Sequence, residues 1–510
     1  MDLTAVRQPQ LYRDFIEAVK SRDEWVRREL RLNPRSQQFL TDLIGEYMEL
    51  STIFSDSELV NKLSDLWENA SKNFGISAKV DLLHAFAKLK SRGAEVFYDI
   101  ADEIVDSLIK DFSEMENPLS VSHIKLSFLA NALVRLRIKD PYLGKLICES
   151  FKKDQRKAQP IDLFNMSKFF ILFRNFDSTT NPVNLEHISC LKERSLPLLN
   201  ELDARSIVSI LRAVAFYDST PYSFFEVAVP VLMQRLGGSN DITIETMMNA
   251  VRALSTLHVI DKALLGTVSC QLSARLRVLG PNLSNNEKYE LVYLLGALAN
   301  LNYRDSSLVD VIGPIMCDST QMLGPFETLW AMWSFSVFGE RDYFFRLWED
   351  LKPKLKLINF NKSNVLRLYR SLNAMGAGSE FPECLEDFLD SILYQKNREE
   401  PSLQELEEEL TAILEEHTKT TIRPFFHIAS ARWINVNLLG SHGKYAICLQ
   451  ESGDMVGPNL EIPPLLGEEV LTQRILQENG FKIACVAPDA WKALSTYNEK
   501  KEFLMSLSIM

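Results

Sequence analysis

The sequence predicts a mostly α-helical protein: an α-solenoid of helix-turn-helix repeats followed by a small C-terminal α/β domain. Three observations carry this prediction. First, a short phrase that opens on a small residue, follows it with an apolar one and places another apolar residue four positions after the opening recurs at intervals of about 40 residues, a period that belongs to helical solenoids. Second, an amphipathic helical segment follows most copies of that phrase. Third, the spacing changes beyond residue 431 from helical periodicity to strand-like alternation. A chain of 510 residues exceeds the ~250–300 at which single cores stop growing, so a modular build is expected.

Composition narrows the class. Hydrophobic residues at 46% and charged residues at 24% are those of a folded globular chain. The formal net charge of -12 excludes a protein coated in phosphate-binding charge, so a nucleic-acid surface would have to be a local patch. Cys148, Cys190, Cys270, Cys317, Cys384, Cys448 and Cys485 are spread widely and form no C-x-x-C pair, which predicts buried free thiols in a reducing compartment and neither a disulfide framework nor a zinc site. No apolar run reaches the ~18 residues of a bilayer span, so no membrane span is predicted. No cofactor or metal is expected.

Residues 1–75 are taken as an N-terminal helical segment. Arg7, Arg13, Lys20, Arg22, Arg27, Arg28, Arg31 and Arg35 are interspersed there with Asp2, Asp14, Glu17, Asp23, Glu24 and Glu29. Transit peptides are acid-poor, so this segment does not decide targeting.

Residues 76–396 are expected to hold about eight repeat units. The phrases read AFAKLKSRG (85–93), ALVRLRIKD (132–140), FILFRNFDS (170–178), AVAFYDSTP (213–221), ALSTLHVID (253–261), ALANLNYRD (297–305), AMWSFSVFG (331–339) and SLNAMGAGS (371–379). FILFRNFDS is a degenerate copy that opens on Phe170; in the others the small residue lets two helices approach, and apolar residues such as Leu254 and Leu257 share one face. Units of this kind stack because none buries its apolar face alone, and the stack presents an extended binding surface. His84, His123, His187 and His258 stand singly, without the i, i+4 partner of a metal pair, and read as packed or surface histidines. Trp330, Trp333, Phe335, Phe338, Tyr343, Phe344 and Phe345 fall at helical spacing and read as core before they read as a base-stacking platform. Two local basic groups remain as phosphate-contact candidates: Lys152, Lys153, Arg156 and Lys157 between units, and Lys352, Lys354 and Lys356 with nearby Lys362.

Residues 397–421 form an acidic amphipathic linker helix, with Leu403, Leu406, Leu410, Ile413 and Leu414 on one side and Glu407, Glu408, Glu409, Glu415 and Glu416 around them; it is expected to be a solvated bridge between two modules. In residues 422–510 the order is strand (431–440), strand (442–453), helix (466–480, ended by Gly480), strand (480–491) and a closing helix, which describes a small α/β domain.

The stretches KYAICLQESG, LTQRILQENGFKIACVAPDAW and NEKKEFLMSL make residues 431–507 resemble a RAP domain, the C-terminal module of organellar RNA-metabolism proteins. Arg474, Leu476, Gly480, Phe481, Val486, Pro488, Trp491, Lys500, Lys501 and Leu504 carry the likeness. A preceding array of ~40-residue helical pairs is also similar to the octotricopeptide and heptatricopeptide repeat proteins and to mitochondrial relatives of the Fas-activated kinase. The resemblance implies an RNA partner, in a mitochondrion or plastid, with a role in transcript processing, rRNA maturation or ribosome structure and assembly alongside other proteins of a ribonucleoprotein complex. Arg474, Lys482, Lys500 and Lys501 join the RNA-binding candidates on this basis.

RAP domains are similar to the restriction-endonuclease-like fold, whose strand carboxylates hold a divalent metal. The two positions where the family commonly carries acids are Cys448 and Gln450 here. A thiol and an amide do not replace hard anionic ligands for magnesium, and the nearest carboxylates, Glu451 and Asp454, fall just beyond. The sequence therefore predicts a non-catalytic RNA-binding protein. The alternatives are a metal-dependent RNA endonuclease using Glu451 or Asp454, and a protein-binding solenoid scaffold.

Overall fold

The computed structural model describes residues 44–45, 55–387 with short breaks at 72–73, 94–97, 177–179, 239–241 and 358–359, then 389, 404–418, 423–424, 435–440, 445–449, 460–461 and 466–507 with breaks at 479 and 487. The arginine-rich start of the chain lies outside these residues, as do Gln450, Glu451 and Asp454. The chain divides into two compact units, Met1–Ser219 and Thr220–Met510. This division falls inside the repeat array and not at the linker near residue 400.

Unit 1 is helical among its described residues. Helix α1 (Asp56–Ala70), opened by a Ser55–Glu58 capping box, precedes α2 (Ile76–Ser91), α3 (Tyr98–Glu114), α4 (His123–Leu136), α5 (Pro141–Asp154), α6 (Pro160–Phe173), α7 (Leu185–Ser195) and α8 (Ala204–Tyr217). The even-numbered helices pack in series, α2 on α4, α4 on α6 and α6 on α8, while the odd-numbered ones pair across to their neighbours as a second layer. Unit 2 repeats the plan with α9 (Tyr222–Gly238), α10 (Ile244–Leu257), α11 (Lys262–Leu279), α12 (Asn285–Asn300), α13 (Ser306–Asp318), α14 (Pro325–Phe338), α15 (Arg341–Leu351) and α16 (Lys362–Ala374). Here too α10, α12, α14 and α16 stack in order, and α9, α11, α13 and α15 form the second layer. Serial packing of adjacent helices is the expected repeat architecture.

The recurring phrase has a backbone cause. In ALVRLRIKD the helix ends at Leu136, Arg137 takes a left-handed conformation (φ 60), and the Ile138 N–H reaches back to the Leu133 carbonyl at 3.0 Å. This is a Schellman closure. Asp140 then accepts the Leu143 N–H at 2.7 Å and caps the next helix. The same sequence of events runs through His258, Val259 and Asp261, and through Asn302, Tyr303 and Asp305. One nine-residue phrase thus closes a helix, turns the chain and opens its partner.

The left-handed residue also corrects the alignment of one copy. Gly339 (φ 78) occupies it at the end of α14, with the Glu340 N–H bonded to the Phe335 carbonyl, so the copy in step is SFSVFGERD (334–342), three residues later than AMWSFSVFG. The degenerate copy at 170–178 lacks the closure: α6 ends at Phe173 and Arg174 remains right-handed. Ala132, Ala213 and Ser371 are wholly buried, as close helix approach requires. Within each layer of stacked helices, polar pairs bridge neighbouring helices, among them Ser167 with Ser209 at 2.8 Å and Ser336 with Ser371 at 3.1 Å.

At the end of unit 2, α17 (Gln404–Thr418) is followed by a four-stranded sheet in the order β1 (Arg423–Pro424), β2 (Asn435–Gly440), β3 (Tyr445–Leu449), β4 (Lys482–Val486). Strands β2 and β3 are antiparallel with a bulge between Val436 and Leu438, and β3 and β4 are parallel. Parallel neighbours need a crossover, and α18 (Gly467–Glu478) supplies it; α19 (Pro488–Ala493) and α20 (Tyr497–Ser506) close the chain. The acidic helix expected to be a solvated linker belongs to this core: Leu410, Ile413 and Leu414 of α17 pack with Ile447, Val486, Trp491 and Leu504. Its glutamates are also engaged, Glu409 by the Trp491 indole N–H at 3.0 Å and by Lys500, and Glu416 by the Tyr497 hydroxyl.

Helix α18 belongs to the sheet and to the stacked helices of unit 2 at once. Glu468 pairs with Arg370 at 2.7 Å, and Arg370 is 1% exposed. Arg474 donates to the Ser336 carbonyl and, at 3.2 Å, to that of Val337, taking up terminal carbonyls of α14. Just upstream, Glu461 forms a two-bond antiparallel bridge with Ile260 and an ion pair with Lys262. Gly467 lies against α12 so closely that a Cβ would stand 2.2 Å from the Ala299 carbonyl oxygen.

Breaking one half of a buried ion pair costs about 3–5 kcal/mol, because the remaining charge stays desolvated. Glu468→Ala is therefore expected to lower unfolding free energy in urea by about 3 kcal/mol, whereas the double variant Arg370→Met/Glu468→Met recovers most of the loss. Gly467→Ala, with no charge changed, is expected to destabilise unit 2 by at least ~1–3 kcal/mol through overpacking against backbone.

Candidate nucleic-acid interface

Charge separates between the two layers of unit 1. The stacked helices α2, α4, α6 and α8 carry Lys79, Lys88, Lys90, Lys125, Arg135, Lys168, Arg205 and Arg212 against only Asp81 and Asp162. In the second layer, α3 alone holds Asp99, Asp102, Glu103, Asp106, Asp111 and Glu114 against Lys110. A protein of net charge -12 thus has one helix layer of the opposite sign.

Helical spacing brings these cations onto shared faces with aromatic rings. His84 and Lys88 are four apart on α2, Phe128 and Arg135 seven apart on α4, Phe164 and Lys168 four apart on α6, and Arg205, Arg212 and Phe216 follow at seven and four on α8. Rings and cations interleave between helices. The His84 imidazole stacks on Phe128 with centroids 5.0 Å apart. Lys168 and Arg205 both stand over the Phe164 ring, and Arg174 and Arg212 over that of Phe216. Arg135 is held by Asn131 at 2.9 Å and Ser91 at 2.7 Å, both neutral. Lys125 and Lys79 differ, being paired with Asp81 and with Asp111 of α3. Phe128, Phe164 and Phe216 are half-buried, with part of each ring open to solvent.

The titration of two groups reflects this field. Burial, and then Lys88, Arg135 and Lys125, push His84 down to about 4, so the imidazole is neutral at physiological pH. Burial and then Arg205 lower the pKa of Arg135, which nonetheless stays a cation. In unit 2 the corresponding layer is balanced, with Arg252, Lys288, Lys362, Arg367 and Arg370 against Glu245, Glu287, Glu290 and Glu327; there burial, then Glu245 and Glu287, push Glu290 up to about 7.

The candidates drawn from runs of adjacent lysines sit elsewhere. Lys152 pairs with Glu186 at 2.6 Å, Lys153 donates to the Leu119 carbonyl, Lys157 pairs with Asp154 at 2.6 Å, and Arg156 is exposed. Lys352 pairs with Glu380 at 2.9 Å and Lys354 with Asp350 at 2.6 Å, while Lys356 and Lys362 are exposed. Arg474 is committed to the α14 carbonyls. Lys500 lies over Trp491 and pairs with Glu409, Lys501 is half-buried, and Lys482 is exposed at the start of β4. These residues do not converge on one surface within either unit's layer of stacked helices. Of the aromatic group at 330–345, Trp333, Phe335, Phe338 and Phe344 are core, as expected. The cations of the α2–α8 layer escape a search for lysine runs because helical faces space them by four and seven. The signal lies in the phrases themselves, where Lys88, Arg135 and Phe216 each stand three residues after the small residue.

Protonation supplies two checks of this electrostatic picture. A histidine held below its ordinary value of 6.5 is protonated more readily in the unfolded chain, so unit 1 should lose about 2 kcal/mol as pH falls from 6.5 to 4, and His84→Phe should remove that dependence in urea titrations. Glu290, held above its ordinary value of 4.5, has the opposite sign: its contribution is lost as pH rises from 4.5 through 7. Glu290→Gln should therefore raise the thermal midpoint at pH 8 by a few degrees and leave it unchanged at pH 4.

In comparisons with known proteins, no family model matches the chain and no curated protein matches it.

Proposed function

We propose that this protein is a non-catalytic RNA-binding protein of an organelle, a mitochondrion or plastid, acting in rRNA or ribosome structure and assembly or in transcript processing. The observation that carries the reading is the cationic and aromatic face of α2, α4, α6 and α8 on an otherwise acidic chain. Phosphates are drawn by local charge, and open aromatic rings accept bases of any identity. The acidic remainder keeps RNA off the other surfaces and focuses it on this one.

The C-terminal module supports the organellar assignment through its likeness to RAP domains. Its strand-strand-helix-strand-helix order and parallel β3–β4 pairing fit that comparison, with Gly480 (φ 80) closing α18 by the bond from the Phe481 N–H to the Leu476 carbonyl and Trp491 filling the core. The non-catalytic assignment rests on side-chain chemistry: Cys448 on β3, paired in register with Cys485 of β4, and Gln450 stand where metal-holding carboxylates would be needed. The local group of Glu245, Glu287 and Glu290 in unit 2 repels phosphate.

Purified full-length protein should bind organellar RNA with a steep salt dependence. Lys88→Glu/Arg135→Glu should weaken binding at least tenfold at ~100 mM salt and reduce the salt slope by about 1–2. Crosslinking in cells followed by sequencing should enrich organellar RNA, and rRNA alone together with cosedimentation would identify a ribosomal role. Absence of any enriched RNA would overturn the reading, and magnesium-dependent cleavage abolished by Glu451→Gln would replace it with the endonuclease.

A further inference from the structure

The stacked helices of unit 2 gather hydrogen-bond donors at one place. On α14 the Trp330 and Trp333 indoles lie edge to face with centroids 6.0 Å apart. The Arg367 guanidinium of α16 caps both, 4.0 Å from the first ring and 5.2 Å from the second. Nε1 of Trp330, Nε1 of Trp333 and Nε of Arg367 are buried, and none of the three has an acceptor among the described residues. Trp333 as a whole is 1% exposed. Glu468, in the first turn of α18, does not fill the need: its carboxylate bonds Arg370 at 2.7 Å and stands 3.6 Å from Arg367 Nε, beyond hydrogen-bond reach. Gly296 of α12 backs the Trp330 ring so closely that a Cβ there would stand 2.9 Å from it, so the ring is seated against backbone. Buried donors left without acceptors cost stability, and a cluster made of donors alone is complementary to an acceptor-rich group.

We infer that Trp330, Trp333 and Arg367 form a binding site for a carboxylate where α14 meets α16. The charge of Arg367 selects an anion over a neutral carbonyl, and the two oxygens of a carboxylate accept several N–H bonds at once. Depth then selects among anions. The buried donors are reached only by a group that ends a chain, whereas a phosphodiester carries a sugar on either side. A phosphate monoester brings nearly two charges to a guanidinium that already shares Glu468. Approach is from the open side of the cluster, where the Arg367 side chain is 18% exposed and Trp330 is half-buried. Phe326 lies tilted against Trp330 there with centroids 6.0 Å apart and is itself exposed. These rings meet the apolar stem that carries the carboxylate. An aspartate or glutamate side chain of a partner protein has this form, and so does a free short-chain carboxylic acid. The inference does not rest on the RNA-binding reading.

Full-length protein isotope-labelled at its indole nitrogens, with signals assigned through Trp330→Phe and Trp333→Phe, tests this by NMR titration. Acetate and N-acetylglutamate methylamide are the probes, the glutamine counterpart is the control, and dimethyl phosphate stands for nucleic acid. Both carboxylates are expected to move the Trp330 and Trp333 indole protons downfield to saturation, and the control to leave them in place. Arg367→Gln should weaken carboxylate binding about tenfold or more. Trp330→Phe, which keeps an apolar ring and removes one donor, should weaken it by about three- to tenfold as read at Trp333. Tighter binding of the glutamate probe than of acetate assigns the site to an acidic side chain of a partner protein; equal or tighter binding of acetate assigns it to free carboxylic acids. The inference is overturned by the absence of a saturable shift with either carboxylate, by binding unchanged in both variants, or by dimethyl phosphate bound as tightly as the glutamate probe.

Discussion

The arrangement of unit 2 depends on the contact between Glu468 and the buried Arg370. A guanidinium that is 1% exposed is tolerated only where a carboxylate meets it, and this carboxylate comes from the first turn of α18. The same helix is the crossover between β3 and β4, so the sheet cannot form its parallel pair without placing α18, and α18 cannot be placed without meeting Arg370. Arg474, one face further along, occupies terminal carbonyls of α14. The C-terminal module is consequently an extension of the helix stack, not a body on a tether. Two residues the RAP likeness would offer to RNA, Arg474 and Lys500, serve this architecture instead.

Unit 1 shows a different use of charge. Its stacked helices tolerate neighbouring cations because their long stems cover apolar surface while the heads stay hydrated or lie over rings. The acidic helix α3 offsets part of the total charge and meets the stacked layer at the Lys79–Asp111 pair, while charges separated by more than a Debye length of about 10 Å are screened by solvent and salt. Net charge alone is therefore a poor guide to this protein's partners.

Much of the fold is legible in the sequence because the phrase encodes backbone events: a left-handed closure, a turn and an aspartate cap. The copy at Gly339 is misplaced by three residues because Ala331, Met332 and Phe335 satisfy the spacing of the phrase as well as Ser334, Phe335 and Phe338 do. The acidic helix is misread for a different reason. Its stripe of Leu410, Ile413 and Leu414 is visible, but the sheet that covers it is distant in sequence. The candidate interface is the least legible feature, because it is assembled from single cations on four helices whose alignment exists only after packing; adjacent lysines such as Lys152 and Lys153 attract notice and are spent on an ion pair and a carbonyl.

The central claim is that RNA lies on the α2–α8 layer of unit 1. Ultraviolet crosslinking of bound RNA to the full-length protein, with the attached peptides sequenced by mass spectrometry, measures this position without altering any residue. The account predicts crosslinks at Phe128, Phe164 and Phe216. Crosslinks confined to the 152–157 and 352–362 segments or to residues 422–510 would contradict it.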